Sequence, residues 1–149
     1  MVDQKEEISK LFTIVANTLT HQIIDFEYNG LKIGRGIFII NYLGYYDQCT
    51  MRTIVDYMNI PASTATRITD RLVEKKLVKR TASDKDRRAV VLSLTDLGKE
   101  VYLYHEKVQA LALAVLLKDL SEEELSIVVK VLRKIVKNIE ELRISKSDD

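Results

Sequence analysis

The chain has 149 residues, of which 46% are hydrophobic, and this is enough for one domain of ordinary size with a packed core. The formal net charge of +1 argues against a uniformly basic coat for nucleic acid and against an acidic disordered tail. The single cysteine, Cys49, excludes an internal disulfide, and with only two histidines beside it no usual Cys/His zinc pattern can be written.

The N-terminal segment predicts one long helix with one buried stripe, because apolar residues recur at three- and four-residue steps from Ile8 to Phe26. We expect this helix to end near residues 28–30. The opening MVDQKEEISK lacks a basic-then-apolar signal, and the longest apolar run, residues 110–117, is far below the roughly 20 residues that span a bilayer. We therefore expect a cytoplasmic protein with no membrane segment.

The next segments predict a helix-turn-helix. Residues 37–46 are dense in apolar side chains, and although their length alone permits a strand, the context favours a buried helix. Thr50 is placed to cap a short helix that breaks at residues 59–61, because proline lacks a backbone donor and restricts its predecessor. A second helix is predicted from about Ala62 to Lys75.

Two short segments rich in branched residues, 77–81 and 90–94, predict an antiparallel hairpin. We expect Val90, Leu92 and Leu94 to share its inner face. The hairpin's long turn contains five consecutive charged residues, 84–88.

Two helices complete the predicted chain. Thr95 is placed to cap one helix that reaches about Leu117, and Ser121 and Glu124 have the spacing of a capping box at the start of another. The last helix should reach about Arg143, with a frayed tail.

The helix from Ala62 has two distinct faces. At about 100° per residue, Ala65, Ile68 and Leu72 fall on one side, and the opposite side carries hydroxyls, guanidinium groups and one carboxylate. That polar side consists of Ser63, Thr66, Arg67, Asp70 and Arg71. Taken alone, it is more typical of a solvated face than of a binding face, although arginine suits guanine and short hydroxyls suit bases or phosphates.

Positive charge is concentrated on this central segment. Residues 62–88 contain nine Lys and Arg against four Asp and Glu, a net charge of +5, so the other 122 residues carry −4. Such a patch on a nearly neutral protein indicates phosphate neutralisation. We expect Lys75, Lys76, Lys79 and Arg80 to contribute only to this field.

Residues 31–100 resemble the multiple-antibiotic-resistance regulator (MarR) family of homodimeric winged helix-turn-helix transcription factors. Asp86-x-Arg88, five residues and then Leu94-Thr95 match the family's wing signature DxRxxxxxLT. Residues 63–68, 70–72 and 77–78 match its recognition helix and following strand. The resemblance implies a mainly α fold with a small β-hairpin wing, in which residues 31–95 bind DNA while residues 1–30 and 96–149 form dimerisation helices of one 149-residue domain.

The resemblance also implies the DNA-binding residues. Arg88 would enter a minor groove, held by Asp86, with Lys85 and Arg87 facing phosphates or the groove edge. The recognition helix would contribute Ser63, Thr64, Thr66, Arg67 and Arg71. A salt bridge between Asp86 and Arg88 that merely stiffens the turn is the alternative, but it leaves the neighbouring basic residues unexplained.

Two positions depart from the family pattern. Lys76 stands where the family has a glycine after the recognition helix, so the turn is either strained by about 1 kcal/mol or has another geometry. Pro61 stands where the family has a capping serine, and it offers no side-chain acceptor.

The last helix indicates a subunit interface, because its apolar residues form a stripe too broad for burial on one side. That stripe comprises Leu125, Ile127, Val128, Val129, Val131, Leu132, Ile135, Val136 and Ile139. Burial within the same monomer is the alternative. A two-fold dimer would present two recognition helices roughly 34 Å apart and would favour a palindromic site.

Effector control, where it exists, would by resemblance involve a small aromatic or phenolic compound bound between the dimer helices and the DNA-binding part. Several aromatic residues could lie near such a cleft, but they do not define a pocket: His21, Tyr42, Tyr45, Tyr46 and Tyr104. Cys49 is expected to pack rather than to sense oxidation.

The residues bear on three classes of function: a DNA-binding regulator, a protein-binding module and an enzyme. A homodimeric, sequence-specific DNA-binding regulator, most simply a repressor, accounts for the most residues. A winged-helix module that binds an acidic protein is the alternative, and it predicts weak, salt-insensitive DNA binding. An enzyme is not indicated, because no Gly-x-Ser-x-Gly elbow, phosphate-binding glycine loop or metal pair appears, and no cofactor is implied.

Overall fold

The computed structural model describes residues 3–83 and 89–147. Within them the order of elements is α1 (Gln4–Ile24), β1 (Glu27–Tyr28), β2 (Leu31–Lys32), α2 (Gly36–Tyr46), β3 (Gln48–Cys49), α3 (Met51–Met58), α4 (Ala62–Glu74), β4 (Val78–Ala82), β5 (Val90–Leu94), α5 (Asp96–Leu116) and α6 (Glu122–Ser147). The backbone divides into two compact units, Met1–Glu106 and Lys107–Asp149. None of the described helices is both long and apolar enough to cross a membrane.

The first helix ends earlier than its periodicity predicted. It begins at Gln4, where the Asp3 side chain accepts from the Lys5 N–H, and it stops at Ile24. The expected end near residues 28–30 is wrong because those residues form a two-stranded hairpin, in which Tyr28 pairs with Leu31. Asn29 and Gly30 both have positive φ, at 48° and 79°, as a tight two-residue hairpin turn requires.

The ambiguous apolar segment is a helix, as the context favoured. In α2, Ile37, Ile39 and Ile40 are fully buried, and Leu43 is nearly so. The helix lies at the centre of the core of the first unit and contacts both α4 and β5. Burial on several sides explains why its sequence lacks the single apolar stripe of a surface helix.

The helix-turn-helix is confirmed in its elements and its breaks. Thr50 Oγ1 accepts from the Thr53 N–H at 3.2 Å and begins α3. The helix ends at Met58, and Asn59 adopts the left-handed conformation with φ of 50°. Pro61 then stands before α4 without a side-chain cap, as its lack of an acceptor predicted.

The wing strands are confirmed, with two differences. β4 and β5 pair antiparallel from Val78 with Leu94 to Ala82 with Val90, and β3 adds an unexpected third strand beside β5. Leu92 and Leu94 are buried, but Val90, expected on the inner face, is 54% exposed. The reason is its place in the last pair before the wing tip, where the strands extend beyond the core.

The start of α5 connects the wing to the helical core. Thr95 Oγ1 accepts from the Gly98 N–H at 3.0 Å and donates to the Lys76 carbonyl at 2.5 Å, so the predicted cap also holds the turn that follows α4. Gly98 is tightly packed, because a Cβ there would collide with the backbone carbonyl of Leu77.

In the second unit, the predicted capping box begins α6. The Ser121 N–H donates to Glu124 Oε2 at 2.8 Å, and the Glu124 N–H donates to Ser121 Oγ at 3.2 Å. The predicted end near Arg143 is four residues too early, since the helix continues to Ser147. No proline or glycine lies in residues 143–147 to stop it.

Candidate nucleic-acid interface

Helix α4 separates its buried and exposed residues as the sequence predicted. Ala65 is fully buried and Leu72 is 2% exposed, so this side packs in the core. Thr69 is also fully buried, and its hydroxyl donates to the Ala65 carbonyl at 2.9 Å. The predicted DNA-contacting residues divide into exposed Ser63, Thr66, Arg67 and Arg71 and half-buried Thr64.

The start of α4 has no negatively charged side chain that would repel an anion. The helix has no acidic residue in its first turn and no side-chain cap at Pro61. Its N-terminal amide dipoles therefore add to the positive field near exposed Ser63 and Thr66. Hydroxyl donors and a positive helix end suit contact with phosphate or base oxygens.

An ion pair connects α4 to the wing. Arg80 on β4 donates from Nη2 to Asp70 Oδ1 on α4 at 2.6 Å, and both side chains are partly exposed. The expectation that Arg80 contributes only to the field is therefore wrong, because its guanidinium is held by a carboxylate. Asp70, on the polar side of α4, therefore contacts strand β4 of the wing. The sequence pattern could not predict this contact, because the two residues lie ten positions apart on different elements.

The root of the wing is ordered by backbone pairing. Beyond the last strand pair, the Ser83 N–H donates to the Ala89 carbonyl at 2.8 Å, which continues the ladder toward the tip. The predicted tip residues Lys85, Asp86, Arg87 and Arg88 lie outside the described residues. The described structure thus gives the position of the strands that carry the tip.

The turn after α4 could either be strained at Lys76 or have another geometry. The structure has the strained turn. Lys76 has a φ of 58°, in the left-handed region that glycine favours. Its N–H donates to the Val73 carbonyl and the Leu77 N–H to the Leu72 carbonyl, both at 2.9 Å. This is a Schellman motif, so the family's turn is retained at the cost of strain at a lysine.

The aromatic residues form three separate groups in the first unit, one of which is the pair Tyr45 and Tyr102 at 5.9 Å between ring centroids. Tyr42 lies 4.6 Å from Tyr46 and 4.7 Å from Tyr57 between ring centroids, beside the helix-turn-helix. Tyr104 instead lies against Phe26 and Tyr28, at 6.0 and 5.2 Å. The aromatic residues named from the sequence therefore do not gather around one cleft, and His21 is exposed.

Cys49 is a packing residue, as expected. It is 8% exposed in strand β3, and burial raises the pKa of its thiol to about 11. A thiol with so high a pKa stays protonated near neutral pH, which makes it a poor nucleophile.

The central segment of the sequence is similar to known proteins. Residues 37–89, which contain the helix-turn-helix and most of the wing, match the sequence model of the MarR family. A 62-residue segment is 37% identical to the HTH-type transcriptional repressor MdtR of Bacillus subtilis (strain 168). That alignment covers 42% of this chain and 40% of the length of the repressor.

Two solved structures share the fold over almost the whole chain. FabT of Streptococcus pneumoniae, solved in complex with DNA, is 22% identical with a TM-score of 0.76, covering 94% of this chain and 99% of that one. A putative MarR family transcriptional regulator of Listeria monocytogenes, complexed with a 26mer DNA, is 23% identical with a TM-score of 0.73, covering 97% and 93%. The predicted winged-helix fold is thereby confirmed.

Proposed function

We propose that the chain is a member of the MarR family and acts as a sequence-specific, DNA-binding transcriptional regulator, with repression as its mode of action. It acts by occupying promoter DNA in the cytoplasm and catalyses no reaction. The observation that carries the proposal is that the family match, residues 37–89, coincides with the helix whose exposed side presents hydroxyls and guanidinium groups.

Sequence is read by α4 in the major groove. Arg67 and Arg71 are exposed, and a guanidinium can donate two hydrogen bonds to guanine O6 and N7. Ser63, Thr64 and Thr66, near the positive helix end, contact phosphates or base edges. The net charge of +5 over residues 62–88 supports this role, because phosphate contacts dominate affinity.

The wing tip contacts the flanking minor groove. By family resemblance, Arg88 enters the minor groove, Asp86 orients its guanidinium, and Lys85 and Arg87 face phosphates or the groove edge. The paired strands β4 and β5 support this assignment, because Ala82 and Val90, the two residues of their last pair, flank the charged segment in the sequence.

The regulator binds as a homodimer. In the first unit α1 exposes Ile8, Leu11 and Phe12, each by more than half, and in the second unit α6 exposes Ile127 and Leu132 similarly. Apolar surface on this scale is typical of a subunit interface. A two-fold dimer places two copies of α4 about one turn of DNA apart, which requires a palindromic site.

Selection from a random duplex library tests the proposal. The full-length protein is mixed with the library at moderate salt, and bound DNA is recovered and sequenced over several rounds. We expect enrichment of one palindrome whose half-sites lie about one helical turn, roughly 10 base pairs, apart. Recovery of no common sequence would contradict the proposal and favour the alternative, a module that binds an acidic protein.

A further inference from the structure

The segment that leads from β2 into α2, residues 32–36, lies beside the C-terminal half of α4 in the first unit. The two line a cavity of about 300 Å³, to which α4 contributes residues at three- and four-residue steps: Ile68, Arg71, Leu72 and Lys75. Arg71 follows Arg67 by one turn, about 40° around the helix axis. The cavity therefore adjoins the exposed side of α4 that is proposed to contact DNA.

The rim of this cavity is cationic. Four of its nine lining residues are basic and none is acidic: Lys32, Arg35, Arg71 and Lys75. The first three are exposed, and the last is half-buried. Among the ion pairs between described residues, none includes any of these four. Their charges are available to an anionic partner, which would lower their mutual repulsion.

Residues 32–36 contact α4 at both ends of the segment. At one end the Lys75 ammonium donates to the main-chain carbonyl of Lys32. At the other, a Cβ at Gly36 would lie only 2.7 Å from Leu72 Cδ2, so the absence of a side chain lets the start of α2 lie close against α4. The exposed cationic side chains of this segment are thus carried by backbone that is fixed beside the helix.

A DNA backbone is the anionic partner that matches this position. Duplex DNA carries one negative charge per about 1.7 Å of its axis, so a basic cluster that adjoins a base-contacting helix meets phosphates on the strands that border the groove. Such contacts position a protein on the duplex without reading its sequence. The cluster extends the proposed DNA-contacting side through Arg71, which belongs to both.

We propose that Lys32 and Arg35 bind backbone phosphates beside the major groove that α4 occupies, so that the DNA interface extends beyond the helix-turn-helix and the wing. This inference rests on the proposed function. Lys75 is a positioning residue, because its ammonium holds the Lys32 carbonyl against α4. The two contacts raise affinity for every sequence equally, since the phosphate is the same at every base pair.

A charge-removal variant tests the proposal through salt dependence. Lys32→Gln with Arg35→Gln removes both charges and retains the main-chain carbonyl that Lys75 contacts. Fluorescence anisotropy on the selected duplex and on a scrambled duplex gives affinities as salt rises. We expect the same loss on both duplexes, at least about fivefold, and a salt slope smaller by about 2, because each phosphate contact contributes about 0.9. An unchanged slope, or a loss confined to the selected duplex, overturns the proposal.

The matched control removes the same number of charges elsewhere. Lys5→Gln with Lys118→Gln alters two exposed residues outside residues 31–95, the part expected to bind DNA. This variant should bind both duplexes like the parent protein. An equal loss in the two double variants would show that only net charge matters, which overturns a contact at Lys32 and Arg35.

Neutral methylphosphonate linkages, placed one at a time in the selected duplex, locate the contact. At one or two positions in each half-site the substitution should weaken binding of the parent protein by at least about threefold but leave Lys32→Gln with Arg35→Gln unaffected, because that variant has already lost the contact. If every linkage that weakens the parent weakens the variant equally, the proposal is overturned while the proposed function stands. Failure of the parent protein to bind any duplex contradicts the proposed function and this extension with it.

Discussion

At the scale of single residues, Lys76 is held in left-handed backbone, with a φ of 58°, in the Schellman motif that ends α4. Pattern alone could not decide between strain and another geometry, because tertiary contacts such as the Thr95 hydrogen bond to the Lys76 carbonyl determine the turn.

Replacing this residue should stabilise the protein. We expect Lys76→Gly to raise the free energy of unfolding by about 1 kcal/mol, because glycine adopts left-handed backbone without a Cβ clash. Lys75→Gly is the matched control, since Lys75 has a φ of −76° and gains nothing from glycine. Urea denaturation of both variants provides the measurement. A Lys76→Gly protein no more stable than the parent would show that the turn is unstrained.

His105 is buried in the first unit, which no pattern in the sequence predicted. It is 3% exposed, lies 4.8 Å from the Phe26 ring in an edge-on contact, and has no hydrogen-bond partner for Nδ1 among the described residues. Burial lowers the pKa of His105 below its usual 6.5, and the nearby Glu106 only partly opposes that shift. The imidazole is therefore neutral in the folded protein at neutral pH.

The lowered pKa predicts loss of stability in acid. Below about pH 6.5 the unfolded chain binds a proton at His105 that the folded chain binds only at lower pH, so the free energy of unfolding falls as pH falls through this window. Denaturation between about pH 7.5 and pH 5 should show this slope in the parent and less of it in His105→Leu. An identical slope in His105→Leu would contradict the assignment.

At the scale of elements, periodicity predicted the helices well and short strands poorly. The two faces of α4 and the caps at Thr50, Thr95 and Ser121 all appear in the structure, whereas the predicted buried stripe of α1 does not, because none of its residues is buried. Strands β1 to β3 have two residues each, which is too short for an alternating pattern to be visible. The dipeptide Asn29-Gly30 is typical of a two-residue hairpin turn and could have predicted the first hairpin.

The Asp70–Arg80 pair makes a prediction about how α4 and the wing act together. If the pair positions β4 against α4, both Asp70→Asn and Arg80→Gln should weaken specific DNA binding, by about threefold to tenfold. If only charge matters, Asp70→Asn should instead strengthen binding, because it removes a negative charge near phosphates. Fluorescence anisotropy on the selected duplex distinguishes these signs. The free energy of unfolding should change by less than about 1 kcal/mol, since the pair is partly exposed.

At the scale of the whole molecule, the sequence predicted the fold, but not the cavity that residues 32–36 and the C-terminal half of α4 line in the first unit. The two segments, residues 32–36 and 68–75, line it together although they lie more than 30 positions apart in the sequence. No pattern within either segment predicts that they meet. The breadth of the apolar stripe on α6, by contrast, was visible in the sequence and corresponds to exposed side chains in the structure.

These exposed side chains predict a dimer that can be disrupted. Sedimentation equilibrium should give twice the mass of 17.1 kDa for the parent protein. Leu132→Glu with Val136→Glu should shift it to monomers and weaken binding to the palindrome, since both residues are about half exposed and apolar. Lys130→Glu with Lys134→Glu, on the same helix, should remain dimeric. A parent protein that is monomeric would remove the basis for a palindromic site.

The central claim, that α4 reads DNA within a positive field, is tested most directly by one salt titration. The affinities of the parent and of Arg67→Ala are measured on the selected duplex and on a scrambled duplex as salt rises. We predict a steep fall in affinity with salt for both proteins, because several phosphates are neutralised. Arg67→Ala should lose about 1–3 kcal/mol on the selected duplex and far less on the scrambled one. Salt-insensitive binding, or equal discrimination by the two proteins, would contradict the claim.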